Sequence, residues 1–270
     1  MKYCFLLLLA VIGFPSSASA QNFSLGSAQG FAVLGGSTVT NTGNSVISGN
    51  VGVSPGSAIT GIPPGTVNGA IHAGDAAAVQ AHNDATTSFH VLEALSPTQD
   101  LTGQDLGGLT LLPGVYKFGS AAQLTGTLTL DSLGKSDALF VFQIGSTLTT
   151  ASASTVHSIN GGNDCNIFWQ IGSSATLGSA TAFKGNLLAD QSITLNTGAS
   201  ILSGRALALN GAVTLDTNAI SIEGCPVVPG PAGTFDTTVQ ESLVPEPSGL
   251  VLFSAGLPLC GLLLRRRRVA

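Results

Sequence analysis

Among residues able to do chemistry, threonine recurs here with the most order. Apolar-Thr-Leu units stand at Leu128-Thr129-Leu130, Ala175-Thr176-Leu177, Ile193-Thr194-Leu195 and Val213-Thr214-Leu215. The last two superimpose at an offset of twenty, Thr194 on Thr214 and Thr197 on Thr217. WQIG (Trp169–Gly172) repeats FQIG (Phe142–Gly145) at an offset of twenty-seven, which brings in Thr149. The candidate files are Thr129, Thr149, Thr176, Thr194 and Thr214, and a second through Thr197, Ser200 and Thr217. A threonine offers a hydroxyl that bonds water and a methyl that orders it, on a side chain with few rotamers. A regular array of them is a preorganised, uncharged surface for water. The register is not unique, because Thr176 aligns with either Thr194 or Ser200.

The usual catalytic sets are missing from the sequence. His72, His82, His90 and His157 offer no pair at zinc-ligand spacing and read as solvent-facing or capping. No G-x-S-x-G elbow, phosphate loop or calcium nonapeptide repeat is present. Asp131, Asp190 and Asp216 follow strand units singly, which is turn chemistry. A solenoid lyase or hydrolase needs acids clustered in a cleft. No enzymatic activity, cofactor or metal is expected. Arg205, a rare charge inside the ladder, should make a structural ion pair or bind a carbonyl array, with a substrate role as the alternative.

Strand-like units that return every twenty to thirty residues suggest the stacked coils of a solenoid. Alternation places Val213 and Leu215 inside and Thr214 outside. The stretch Phe31–Pro55 predicts two or three short coils. Asp137–Gly145 predicts a central strand. Phe140, Phe142, Phe168 and Trp169 read as core, with a ligand platform as the alternative for Trp169. Gly74–Leu95 differs: Ala78, Ala81, Ala85, Phe89 and Leu92 fall at gaps of three, four, four and three, one apolar helix stripe. Asp75 suits its start and Ser96-Pro97 its stop. The helix should pack along one flank of the solenoid; the alternative is an exposed partner-binding helix.

Composition narrows the class further. Charged residues are 9% of the chain, and its 26 threonines outnumber the 23 charged residues. Between Gln21 and Leu243 stand four basic and thirteen acidic residues, the opposite of a backbone-tracking nucleic-acid binder. Lys2, the apolar run Phe5–Phe14 and Ala18-Ser19-Ala20 make residues 1–20 a signal peptide, with an uncleaved anchor as the alternative. Cys4 lies there and Cys260 near the other end. Cys165 and Cys225 remain, a disulfide candidate in an exported chain or two buried thiols. Residues 226–243 are Pro/Gly/Thr-rich and read as a flexible linker after a folded domain of 21–225.

The last segment, 244–270, holds Pro245-Glu246-Pro247, an apolar transmembrane segment at 249–264, then Arg265, Arg266, Arg267 and Arg268. It resembles the PEP-CTERM sorting signal of Gram-negative bacteria. That resemblance implies cleavage by an exosortase-type enzyme and release to the cell surface or extracellular matrix. A plain membrane anchor is the alternative.

The strings GFAVLGGSTVTNTGNSVISGNVGVSPG (Gly30–Gly56), HAGDAAAVQAHNDA (His72–Ala85), LLPGVYKF, ALFVFQIG, FWQIGSSATLG and GRALALNGAVTLDTNAIS, in that order, resemble the microbial ice-binding proteins. The resemblance implies a mainly β fold: a right-handed discontinuous β-solenoid with three faces, N-terminal coils capping C-terminal ones, and one long α-helix packed alongside. It also implies a monomer whose partner is the ice crystal surface. Thr197-Gly198-Ala199-Ser200 resembles the family's Thr-x-x-Thr ice-face motif but departs from it at Ser200. The alternative function is a structural or adhesive protein of the extracellular polysaccharide matrix, on the same scaffold.

Overall fold

The computed structural model describes residues 22–228 and 230–236. The signal peptide 1–20, the tail 244–270 with its segment 249–264, Cys4 and Cys260 all lie outside the described residues.

Period-two alternation builds the coils. In Ile193–Leu195 and Val213–Asp216 the apolar residues are buried and the threonine between them faces out. Each strand pairs in parallel with its equivalent one coil away. One seven-stranded ladder runs Ala122–Leu124, Leu148–Thr150, Ala175–Leu177, Ile193–Leu195, Val213–Asp216, Thr38–Thr42, Ala58–Thr60. A fifteen-stranded sheet forms the other two faces of the solenoid, because Ala182–Ala189 and Ser200–Ala208 turn a corner without a break. The turn falls where their register shifts, at Lys184/Gly185. Gly185 takes φ +91° there, and a Cβ on it would meet the Ile167 side chain at 2.6 Å.

Coil order departs from chain order at one place. Coils from Ala122 to Asp216 stack in sequence, but Val213–Asp216 then pairs with Thr38–Thr42 near the start of the chain. Ala219–Ser221 likewise pairs with Val46–Ser48, and Ser200–Ala208 with Phe31–Gly35. The stretch Phe31–Pro55 is a single three-strand coil plus the first strand of the next, rather than two or three coils. Each coil needs three strands and their corners, about twenty residues here, so alternation alone overcounts.

Two apolar layers result. Inside the solenoid, Tyr116, Phe142 and Trp169 occupy equivalent positions of successive coils. Phe142 and Trp169 stack with ring centroids 3.9 Å apart at 9°. Trp169 is wholly buried and its Nε1 donates to Lys184 O at 3.0 Å, so it is packing and not a platform. The second layer lies under the one α-helix among the described residues, Ala76–Glu93 (α1). Asp75 caps it, accepting from Ala78 N at 2.9 Å. Ala78, Ala81, Ala85, Phe89 and Leu92 are all buried. The last four pack on Leu34, Val141, Phe168, Leu188 and Leu207, the outward residues of one solenoid face. Phe168 therefore belongs to this outer layer. Asp84 on α1 accepts from Ser27 N at 2.7 Å and Ser27 Oγ at 2.6 Å, fixing the helix to the turn Gly26–Gly30.

Cys165 and Cys225 are bonded, closing sixty residues. Beyond them, the described part of the segment read as a linker is packed. Val228 is buried and its N donates to Gln29 Oε1 at 2.6 Å. Phe235 pairs antiparallel with Phe23, their rings 5.1 Å apart. Two apolar anchors suffice to hold a Pro/Gly-rich segment whose composition by itself reads as flexible. The folded unit thus reaches at least Asp236 rather than ending at Cys225.

Candidate functional site: a threonine face

The seven-stranded ladder presents one file of outward residues, one from each strand. In register these are Gln123, Thr149, Thr176, Thr194, Thr214, Thr40 and Thr60. Six successive coils supply threonine. At ~4.8 Å per coil the file is about 24 Å long. Thr149, Thr214 and Thr60 are exposed, and Thr176, Thr194 and Thr40 are half-buried by their neighbours. The Thr40 hydroxyl reaches that of Thr214 at 3.4 Å. One step before the strands, Thr147, Ser174, Ser192 and Ala212 follow the same ladder and carry no charge. The serines pin successive coils: Ser174 Oγ accepts from Ser192 N at 3.3 Å and Ser192 Oγ from Ala212 N at 3.2 Å. The result is a uniform hydroxyl and methyl surface on a fixed backbone.

Thr149, Thr176, Thr194 and Thr214 stand where their spacing puts them. Thr129 does not: it lies opposite Thr110 and His157, on an adjoining face. The coil that precedes Thr149 is longer than twenty residues, so Gln123 occupies the place expected for Thr129. The second file does not form. Ser200 lies opposite Ala182 and Ala219 on that adjoining face. Thr197 and Thr217 flank the Asp216 carboxylate and donate to it at 2.5 and 3.1 Å, so both hydroxyls are committed to a charge. The Ser200 face also carries His157, a Lys184–Asp164 ion pair at 2.6 Å, and Leu202 with half its surface exposed.

Arg205 is buried on the face beneath α1 and meets carbonyls rather than a carboxylate. Nη1 donates to Asn186 Oδ1 at 2.6 Å, and Nε and Nη2 donate to Gln29 O at 3.2 and 2.8 Å. Burial pushes its pKa down to about 10, which leaves it cationic at neutral pH. His72 contacts Asp75 at 2.8 Å and His90 contacts Glu93 at 3.3 Å, both at helix ends. Half-buried His82 leaves its Nδ1 without a partner, and burial lowers its pKa. Among the described residues no three His, Cys, Asp or Glu side chains gather as a metal-binding group.

A family model described as Ice-binding-like matches residues 33–221, most of the chain and the whole threonine file. The chain belongs to the ice-binding-like family. It is 54% identical over 259 residues to an ice-binding protein of Nostoc sp. (strain HG1), covering 95% of this chain and 92% of that one. It is 33% identical over 227 residues to an ice-binding protein of Flavobacterium frigoris (strain PS1), covering 78% and 80%. A crystal structure of an ice-binding protein from the Antarctic ascomycete Antarctomyces psychrotrophicus matches with a TM-score of 0.72 at 41% identity, covering 77% of this chain and 99% of that one. An ice-binding protein from an Antarctic biological consortium matches with a TM-score of 0.73 at 46% identity, covering 77% and 95%.

Within this ice-binding-like domain, Thr40 and Thr60 are the file members that sequence periodicity misses. Thr40 meets Thr214, 174 residues away in the chain, and Thr60 joins the file only through its pairing with Thr40. The signal that could have found them is the apolar-Thr pair itself, repeated at Val39-Thr40 and Ile59-Thr60.

Proposed function

We propose that this chain binds ice through the file Thr149, Thr176, Thr194, Thr214, Thr40 and Thr60, holding a first layer of water in place with a preorganised array. The observation that carries the reading is the in-register run of six threonines, one from each of six successive coils. Relatives named as ice-binding proteins support it. A rigid surface pays little ordering cost at contact, which is the advantage of preorganisation. The reading takes the solenoid as right-handed and discontinuous, a monomer, and no enzyme. Its support on the second point is the pairing of Val213–Asp216 with Thr38–Thr42.

The test replaces Thr194 and Thr214 together with Tyr, and separately Thr197 and Thr217. The first pair should abolish most ice-recrystallisation inhibition and thermal hysteresis in a protein that still folds, and the second should leave them largely intact. Full activity in the Thr194/Thr214 variant would remove the threonine face from the account. A wild-type protein with no inhibition at all would favour the matrix-protein alternative.

The same reading has the chain exported by residues 1–20 and released after processing of its tail by an exosortase-type enzyme. The Pro245-Glu246-Pro247 motif, apolar run and four arginines support this. Mass spectrometry of the native protein should find no residues beyond the Pro-Glu-Pro motif; an intact C-terminus in the membrane fraction contradicts it.

A further inference from the structure

Where the threonine face meets the Ser200 face, the residue just before each strand of the Ser200 face turns inward. In register these include Ser154, Thr181, Ala199, Asn218 and Ser45, all buried. The chain itself joins most of the neighbouring coils along this column. One pair has no such link: the coil holding Val213–Asp216 and Ala219–Ser221, and the coil holding Thr38–Thr42 and Val46–Ser48. Across that seam only non-covalent contacts set the register. A slip of one residue would exchange inward for outward side chains, and Thr40 and Thr60 would leave the file.

Asn218 stands on the seam. Its Nδ2 donates to Asn196 O and Ala199 O in the preceding coil, both at 2.9 Å. Its Oδ1 accepts from Asp216 N at 2.6 Å. Its backbone N donates to Ser45 Oγ at 2.9 Å and its backbone O accepts from Val46 N at 2.8 Å, both in the following coil. One residue thereby ties three coils. Ala199 brings no polar group to the column, and the longer carboxamide of Asn218 reaches the carbonyls there. These groups are buried, so a shifted register would strand several of them without partners.

We propose that Asn218, with Ser45 as its partner, is a positioning residue for the ice face: it sets the register across the seam so that Thr40 and Thr60 extend the file Thr149–Thr214. The inference rests on the reading of that file as the ice-binding surface.

Asn218→Ala and Ser45→Ala are compared with Ser154→Ala. Ser154 Oγ donates to Leu124 O at 2.9 Å in the same buried column, between coils that the chain joins. Three readouts are taken where circular dichroism shows native protein: the nuclear Overhauser contact between the Thr40 and Thr214 methyls, hydrogen exchange at the Val46 and Thr217 amides, and ice-recrystallisation inhibition. Both amides bond across the seam, Val46 N to Asn218 O and Thr217 N to Thr42 O. In the two seam variants their exchange should accelerate about ten-fold, the effect of losing one or two buried hydrogen bonds locally. The methyl contact should weaken and inhibition should fall, while Ser154→Ala changes none of the three.

Seam variants with wild-type exchange and inhibition overturn the proposal, as does an equal loss of inhibition in Ser154→Ala. If Asn218→Ala does not fold, Ser45→Ala decides, since it removes one hydroxyl and keeps the carboxamide. If the seam variants exchange faster while the Thr194/Thr214 pair of Tyr substitutions leaves inhibition intact, the ice-face premise is what has failed, and Asn218 acts in folding alone.

Discussion

Replacing Phe89 by Ala tests whether α1 is a structural half of the domain. The ring is 4% exposed and packs in the layer between α1 and the solenoid, among Phe23, Leu25, Leu34, Val141 and Phe168. Withdrawing it from that layer forfeits roughly 1.5–3 kcal/mol of transfer free energy. A cavity adds to this, because the sheet side of the layer is a hydrogen-bonded ladder that cannot close in. The total should be about 3–5 kcal/mol, a large share of a typical domain's stability. Val79 on the same helix, 45% exposed, is the control; Val79→Ala should stay within about 0.5 kcal/mol. Urea denaturation of residues 22–236 measures both, with the midpoint moving and the slope unchanged. A loss below about 1 kcal/mol for Phe89→Ala would mean that α1 does not bury this stripe and is free to bind something else.

Cys165→Ser with Cys225→Ser should cost about 4 kcal/mol in the chain-entropy account of a sixty-residue loop, read as a fall in urea midpoint; a loss under about 1 kcal/mol would refute it. Two titrations should shape the acid limb of stability. The Ala78 N–H, then His72, holds the Asp75 carboxyl below its ordinary 3.8, so its contribution is complete above that value and disappears as pH falls through the lower folded pKa. Burial holds His82 below 6.5, so the unfolded chain takes up its proton first and stability declines as pH drops beneath 6.5. His82→Gln should flatten the second decline in urea titrations on either side of 6.5. An unchanged slope there would show that His82 is not the group responsible.

Local patterns were the legible part of this sequence. The gaps of three and four in Ala78, Ala81, Ala85, Phe89 and Leu92 name the buried side of α1, since helix geometry is set within a few residues. The repeat FQIG over WQIG is the register that the ladder adopts, Phe142 opposite Trp169 and Thr149 opposite Thr176. Thr129 misleads because a constant period is assumed where coil length varies: its neighbour-to-be, Thr149, pairs with Gln123 instead. Thr40 and Thr60 are hidden for a different reason. Thr40 pairs with Thr214 from the far end of the chain, no periodicity spans that gap, and Thr60 joins the file only through Thr40. The commitment of Thr197 to Asp216 is likewise invisible in the string TGAS, because it depends on which carboxylate the next coil places beside it. The packing of Val228 and Phe235 is lost in a composition that says linker.

The ends of the described domain are strand partners, Asn22 opposite Asp236 and Phe23 opposite Phe235. Paired strands lie within ~5 Å, so a few residues could close the chain into a ring. A ring opened instead between α1 and Gln99–Asp100 would run its coils in the order in which they are stacked, from Ala122–Leu124 through Val213–Asp216 to Thr38–Thr42 and Ala58–Thr60. The contacts that now span most of the chain would become contacts between successive turns. Lower contact order speeds folding, so this circular permutant should find the same architecture faster than the natural order does. The natural order keeps the slower route and leaves the middle of the threonine file to be assembled from both ends of the polypeptide.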